Sequence, residues 1–190
     1  MQFIPTAIPE VIIIEPKVFG DERGYFVETF RQDKLDAFLG FKIDFIQDNE
    51  SKSSYGVLRG LHYQLAPAAQ TKLVRVIKGK VLDIAVDIRV GSPTFGRHVS
   101  IELSEQNKRQ ILVPRGFAHG FVVLEDDTVF AYKVDRYYSP EHDRGLAFDD
   151  KVLAIDWQVA PERLQLSAKD TQQPSLDDAE LFTYGQALYV

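Results

Sequence analysis

The chain has 190 residues, 45% of them hydrophobic and 12% aromatic, with 22 Lys and Arg against 28 Asp and Glu and a formal net charge of −6. That length suits one domain over 1–190, with enough apolar residues for a core of its own. Cysteine is absent, which excludes a disulfide framework, a thiolate nucleophile and a Cys-rich zinc site and agrees with a reducing compartment.

In chain order, Met1–Glu10 lacks the basic stretch and apolar run of a signal peptide, and Val11-Ile12-Ile13-Ile14 is too short to cross a bilayer. A soluble cytoplasmic protein with no membrane partner is expected. A strand-like run at Tyr25–Phe30 precedes a predicted helix over Gln32–Leu39, apolar at Leu35, Phe38 and Leu39 and stopped by Gly40. Further β-rich runs are Ile43–Gln47, Val57–Gln64 and Lys72–Lys78. Val81–Arg89 alternates, with Leu82, Ile84, Val86 and Ile88 on one face and Asp83, Ala85, Asp87 and Arg89 on the other. His98–Leu103 does the same, and Ala118–Leu124 and Thr128–Val134 complete the set. Turn signals separate the runs at Lys78-Gly79-Lys80, Gly91-Ser92-Pro93, Pro114-Arg115-Gly116 and Glu125-Asp126-Asp127. Beyond Pro140 the tail is polar and acidic, with short helical or irregular patches. Many short strands at this spacing predict an all-β sandwich or barrel of the jelly-roll kind. No Lys/Arg block offers a nucleic-acid footprint, so an anionic ligand has to be held by a few placed cations.

Acid–base candidates start from the histidines. His98 alternates outward and His142 lies among charges, so both are expected in solvent. His62 sits in Leu58-Arg59-Gly60-Leu61-His62-Tyr63-Gln64 and His119 in Pro114-Arg115-Gly116-Phe117-Ala118-His119. A lone histidine in an apolar strand is more often a satisfied core residue than a functional one. Parity raises the odds: Lys72 shares a strand face with Val74 and Val76, and Tyr132 shares one with Phe130 and Val134. If those faces turn inward, a lysine enters an apolar cavity, which is costly unless it serves a ligand. If they turn outward, Lys72 is ordinary surface. Cupin barrels often hold a metal through a His-x-His pair, but the position two after His62 is Gln64, which cannot replace a neutral imidazole. Acid–base chemistry without metal or other cofactor is the reading that remains.

A set of motifs runs in order along the chain: Asp21-Glu22-Arg23-Gly24-Tyr25-Phe26, Gln47-Asp48-Asn49, Leu58 to Gln64, Thr71-Lys72-Leu73, Asp87-Ile88-Arg89 and Gly91-Ser92-Pro93-Thr94-Phe95-Gly96. Val113 to Phe121, Tyr132-Lys133, Tyr137-Tyr138-Ser139-Pro140 and Ser167-Ala168-Lys169-Asp170 follow. Taken together and in this order, they resemble the dTDP-4-dehydrorhamnose 3,5-epimerases. The resemblance implies a cupin-type jelly-roll β-sandwich with a few short helices at the periphery and C-terminus. It implies His62 as general base with Asp170 as its carboxylate partner, Tyr132 as proton donor, and Lys72 beside the C4 keto oxygen. It implies nucleotide binding by Arg23, Glu28, Gln47, Asp48, Asn49 and Arg59, with Arg59 on the diphosphate. His119 is then expected to line the sugar pocket, Tyr138 to lie near the thymine, and Asp143 and Lys169 to help place the ligand. The family's N-terminal strands cross to a second subunit, so Phe19, Arg23 and Glu28 are expected in a homodimer partner's site. Two positions depart from the common pattern: Asp143 stands where Glu is usual and Phe148 where Trp is usual.

The chemistry explains these residue types. Removing a proton beside a ketone spreads charge onto the carbonyl oxygen, where a preorganised cation lowers the barrier. Epimerisation then needs a donor on the opposite ring face. An epimerase acting only at C3 would carry nearly the same motifs. A 3,4-ketoisomerase would lack much of the Arg59–His62 pattern, and a cupin that only binds a sugar nucleotide would not need an acid–base pair.

Overall fold

A computed structural model describes residues 1–189. The chain runs through β1 (Gln2–Pro5), β2 (Ile12–Glu15), β3 (Val18–Asp21), β4 (Gly24–Val27), α1 (Gln32–Leu39), β5 (Gln47–Ser53), β6 (Leu58–Gln64) and β7 (Lys72–Lys78). It continues with β8 (Lys80–Asp87), β9 (Arg89–Val90), β10 (His98–Ser104), β11 (Gln110–Val113), β12 (Phe117–Val123), β13 (Thr128–Val134), β14 (Asp143–Gly145) and β15 (Phe182–Thr183). One sheet has the order β1-β2-β11-β7-β13-β5 and the other β10-β8-β12-β6-β14. β3 and β4 form a separate hairpin, and β9 pairs with β15. The expected all-β sandwich is the fold observed. Among the described residues no helix is long and apolar enough to cross a membrane.

Local chemistry accounts for the elements that matched and those that did not. α1 covers the expected residues and ends at Gly40, whose φ of +77° lies in the left-handed region. The run expected at Tyr25–Phe30 is shorter, leaving the ladder after Val27. The strand expected at Ile43–Gln47 instead begins at Gln47 and continues through Ser53. Its sequence, Gln-Asp-Asn-Glu-Ser-Lys-Ser, has no hydrophobic residue and forms an edge strand through its backbone and its pairing with β13. Propensity could not have found it.

Three apolar layers hold the sheets. Between them, Val74, Val76 and Phe130 of one sheet pack against Val81, Ala85, Phe117 and Phe121 of the other. On the outer face of the first sheet, Leu35 of α1 covers Ile12, Ile14, Leu73 and Leu112. On the outer face of the second, Leu82, Ile84, Val86, Ala118 and Val122 lie under Leu146, Leu153, Trp157, Leu176 and Phe182 of the tail. The tail therefore supplies a full apolar layer despite its polar composition. Each large side chain it buries is worth about 1.5–3 kcal/mol.

β8 is consequently buried on both faces. Its apolar residues Leu82, Ile84 and Val86 face the tail, while Asp83 shares the inward face with Val81 and Ala85. A one-sided strand would turn those the other way. The inversion follows from a second core outside the sheet and a polar site within it.

A bulge shapes β6. His62 pairs with His119 of β12 and Arg59 pairs with Phe121, so three steps on β6 match two on β12. Arg59 and His62, which strict alternation would separate, thus both line one cavity. Gly60 permits this with a φ of +140° and by lying against Gly120, whose Cα would be 2.5 Å from an added Cβ. Gly60→Ala is expected to lower the thermal midpoint sharply, with backbone strain alone costing about 1–3 kcal/mol. An unchanged melting curve would show that the bulge tolerates a side chain.

Candidate active site

Between the sheets lies a cavity of about 600 Å³. Its wall draws Asn49 from β5, Arg59 and His62 from β6, Lys72 from β7, His119 from β12 and Tyr132 from β13. Lys169 and Asp170 close it from the tail. The faces of β7 and β13 that carry Lys72 and Tyr132 do turn inward, beside Val74, Val76 and Phe130.

His62 Nε2 is 2.5 Å from Asp170 Oδ1, and the Ser167 hydroxyl donates to Asp170 Oδ2 at 2.8 Å. Asp170 is buried. Burial pushes its carboxyl up, but the hydrogen bonds from His62 and Ser167 and the charges of His62 and Lys169 outweigh this and hold it below the usual range. A carboxylate only accepts, so His62 Nε2 carries the shared proton, and in the neutral form of the ring the lone pair is on Nδ1. Ser167 was not foreseen as a site residue, although it opens the Ser-x-Lys-Asp motif.

Lys72 Nζ donates to the His62 carbonyl at 3.3 Å. Burial pushes its ammonium down to about 8, against the pull of Asp83 and Asp143, with Lys169 adding to the fall. Asp83 is a second residue that sequence reasoning missed. It is fully buried, and both its oxygens lie 3.0 Å from His119 Nε2. Burial raises its carboxyl, while His119 and Lys72 pull the other way. The available signal was an acidic residue centred in a strand of buried neighbours. Tyr132, on the sheet opposite His62, has its phenol pushed up by burial, partly offset by the Arg59 charge.

The other expected residues divide into groups. Arg59 meets only the Ser53 hydroxyl, at 3.2 and 3.4 Å, and among the described residues forms no salt bridge. Gln47 donates to Asn49 Oδ1 at 2.8 Å on the inward face of β5. Asp48 is turned to the opposite face by strand alternation and pairs with Lys133 at 2.8 Å, away from the cavity. Tyr138 and Asp143 do not line the cavity; Tyr138 donates to Asp143 Oδ2 at 2.9 Å, and Lys169, which does line it, pairs with the same oxygen. Phe19, Arg23 and Glu28 do not line this cavity. Arg23 is tied to Asp21, and Glu28 to Lys34 at 3.1 Å.

Gln64 is buried and committed to the backbone: its amide donates to Ala68 O at 2.7 Å, and Ser139 N–H donates to its Oε1 at 2.7 Å. His142 Nδ1 lies 2.8 Å from Ser139 Oγ. His98 is half-buried, and that burial pushes its imidazole down. Both histidines expected in solvent are thus partly enclosed. Phe148 packs against the outer core and accepts the Trp157 indole N–H at 2.8 Å.

An imidazole, a phenol on the facing sheet and a half-buried ammonium can together move a carbon-bound proton from one side of a ring to the other. A family profile described as dTDP-4-dehydrorhamnose 3,5-epimerase matches residues 5–178. The dTDP-4-dehydrorhamnose 3,5-epimerase of Shigella flexneri is 53% identical over 182 residues, 96% of this chain and 99% of that protein. Its counterpart in Salmonella typhimurium is 51% identical over 95% of this chain and 98% of that protein. The dTDP-6-deoxy-D-glucose-3,5-epimerase of Legionella pneumophila, solved in complex with dTDP-4-keto-L-rhamnose, superposes with a TM-score of 0.92 at 49% identity. That superposition covers 96% of this chain and 98% of the other. With the fold and nearly the whole length shared, the chain belongs to the dTDP-4-dehydrorhamnose 3,5-epimerase family.

Proposed function

We propose that this protein, acting as a single domain, epimerises C3 and C5 of dTDP-4-dehydro-6-deoxy-D-glucose. The product is dTDP-4-dehydro-L-rhamnose, on the route to dTDP-L-rhamnose, and no metal or cofactor takes part. The observation that carries this reading is the His62–Asp170 dyad and Tyr132 on facing sheets of one cavity that also holds Lys72. Family membership at about half identity supports it. The commitment of Gln64 to backbone groups supports a metal-free site, since its amide is not free to complete a chelating pair.

His62 Nδ1 takes the proton from the carbon beside the ketone, and the electron pair moves onto the C4 oxygen. Asp170 stabilises the imidazolium that results. The Lys72 ammonium faces the developing charge in a site with little competing water. Tyr132 gives its proton to the same carbon from the other face, inverting it, and recovers a proton from solvent as His62 releases its own. Arg59, which pairs with no carboxylate among the described residues, takes the diphosphate by its planar fork. Gln47 and Asn49 hold the nucleotide, Tyr138 the thymine, and His119, Asp143 and Lys169 the sugar end.

The site is completed across a cytoplasmic homodimer, with Phe19, Arg23 and Glu28 supplied by a second copy. The β3–β4 hairpin supports this by leaving Phe19, Tyr25 and Phe26 at 52%, 61% and 69% exposure, an apolar patch that one copy alone does not cover.

In deuterated water, Tyr132→Phe is expected to keep incorporating deuterium at C3 and C5 while inversion falls about 10²–10⁴-fold. His62→Ala is expected to lose both, as read by proton NMR. Equal loss of exchange and inversion in Tyr132→Phe would mean that the phenol also helps form the enolate.

The pH profile carries a second expectation. Lys72 must be charged, and its folded pKa of about 8 lies below the solution value of 10.5. The rate should therefore fall above pH of about 8, where an exposed lysine would still be protonated. In Lys72→Arg that limb should vanish, because a guanidinium stays charged throughout. A limb that persists in Lys72→Arg would assign it to another group.

Finally, mixing Arg23→Ala chains with His62→Ala chains should restore activity, since one site of each mixed dimer is intact. Fully active monomer at high dilution would count against the shared site.

A further inference from the structure

β7 begins at Lys72, and the ladder ends there on both sides, opposite Val113 of β11 and Val134 of β13. The preceding residue, Thr71, is fully buried, and its N–H donates to a side chain, Asp135 Oδ1, at 2.7 Å. Asp135 directly follows β13. Its other oxygen accepts two N–H groups of Arg115, at 3.1 Å from Nε and 2.9 Å from Nη2. Arg115 lies just past β11, and both members of this pair are buried. A side-chain clamp thus continues the sheet beyond the point where the backbone ladder stops.

Tyr189 closes the clamp from the far end of the chain. Its hydroxyl accepts the Arg115 backbone N–H at 3.2 Å and lies 3.0 Å from Thr71 Oγ1, to which it can donate. The ring stands 4.7 Å from the Arg115 guanidinium, and the Leu188 carbonyl accepts a further N–H of Arg115. One phenol therefore joins the residue before β7 to a residue just after β11, and the joined end is the root of Lys72.

We propose that Tyr189 is a positioning residue for Lys72: by tying Thr71 to Arg115 it fixes the strand end from which the ammonium reaches the cavity. The inference rests on the reading of Lys72 as the cation facing the C4 oxygen. Tyr189 does not line the reaction cavity and touches no reacting atom. Removing its hydroxyl strips Thr71 Oγ1 and the Arg115 N–H of a partner and invites water to the end of β7. The Lys72 root then shifts, and a misplacement of about 1 Å is enough to cost about 10²-fold in rate. The groups around the ammonium are Asp83 of β8, His62 of β6, His119 of β12, Tyr132 of β13, Asp143 of β14 and Lys169 of the tail. None of these is altered by a change at 189, so a moved alkaline limb reports the lysine itself.

The test compares Tyr189→Phe, Thr71→Val and Thr71→Ser in the full-length protein, with circular dichroism to measure the folded fraction. Tyr189→Phe and Thr71→Val are expected to lower kcat about tenfold or more, with KM for the dTDP-sugar within about twofold. Their alkaline limb should rise above the native value of about 8 as water reaches the ammonium. Thr71→Ser keeps the hydroxyl and should restore both. An unchanged kcat and limb in Tyr189→Phe would overturn the proposal, and so would a loss of rate that follows the folded fraction with the limb unmoved. Lys72→Ala separates the two failures. If it is inactive while Tyr189→Phe is normal, only the positioning role falls; if it is active, the reading of Lys72 falls and the positioning role with it.

Discussion

A β-sandwich ordinarily keeps a dry interior, and here that interior holds a carboxylate, an ammonium and two imidazoles. Asp83, Lys72, His62 and His119 take space and solvation that an apolar core would not have to provide, and the rest of the fold compensates. The residues between the sheets still form an apolar cluster, but the second sheet gains a further layer on its outer face from the tail. Without Leu146, Trp157, Leu176 and Phe182 over Leu82, Ile84 and Val86, that face would expose a wide apolar surface. The tail also carries Asp170, so the segment that stabilises the sheet delivers the partner of the proposed base.

The same enclosure sets the electrostatics. Burial disfavours the charged form of both Asp170 and Lys72, and the outcomes differ because their partners differ. Asp170 receives two direct hydrogen bonds and stays a carboxylate. Lys72 has one bond to a neutral carbonyl and acidic groups only at a distance, so its ammonium is held weakly. A cation that is poorly solvated in the free enzyme gains most when negative charge appears beside it. An exposed lysine would gain less, because water already stabilises it.

Exposed features divide the molecule differently. The β3–β4 hairpin presents aromatic side chains to solvent, and β5 forms a sheet edge with polar side chains. An edge of charged and hydroxyl residues discourages indiscriminate strand pairing. From its inward face, Asn49 and Ser51 give the cavity a polar wall.

The sequence by itself determined the strand-rich architecture, the helix over Gln32–Leu39 and the strand faces that Lys72 and Tyr132 share with apolar neighbours. These follow from side-chain period, a stop glycine and turn residues, all of which act locally. The turn of those faces inward was decided by the packing of the sheets. Resemblance of ordered motifs pointed to the family and to His62, Tyr132 and Asp170 before any contact was visible. Tertiary structure decided what local pattern cannot. β5 has no propensity and exists because β13 offers it a ladder. Asp83 faces inward because the tail, remote in sequence, claims the other side of β8. Arg59 joins His62 on one wall only through the bulge against β12, and Asp48 leaves that wall because its neighbour Asn49 takes the inward place. His62 meets Asp170 across 108 positions of chain. Sequence spacing carries no information about such a contact; the packing of the tail onto the sheet creates it.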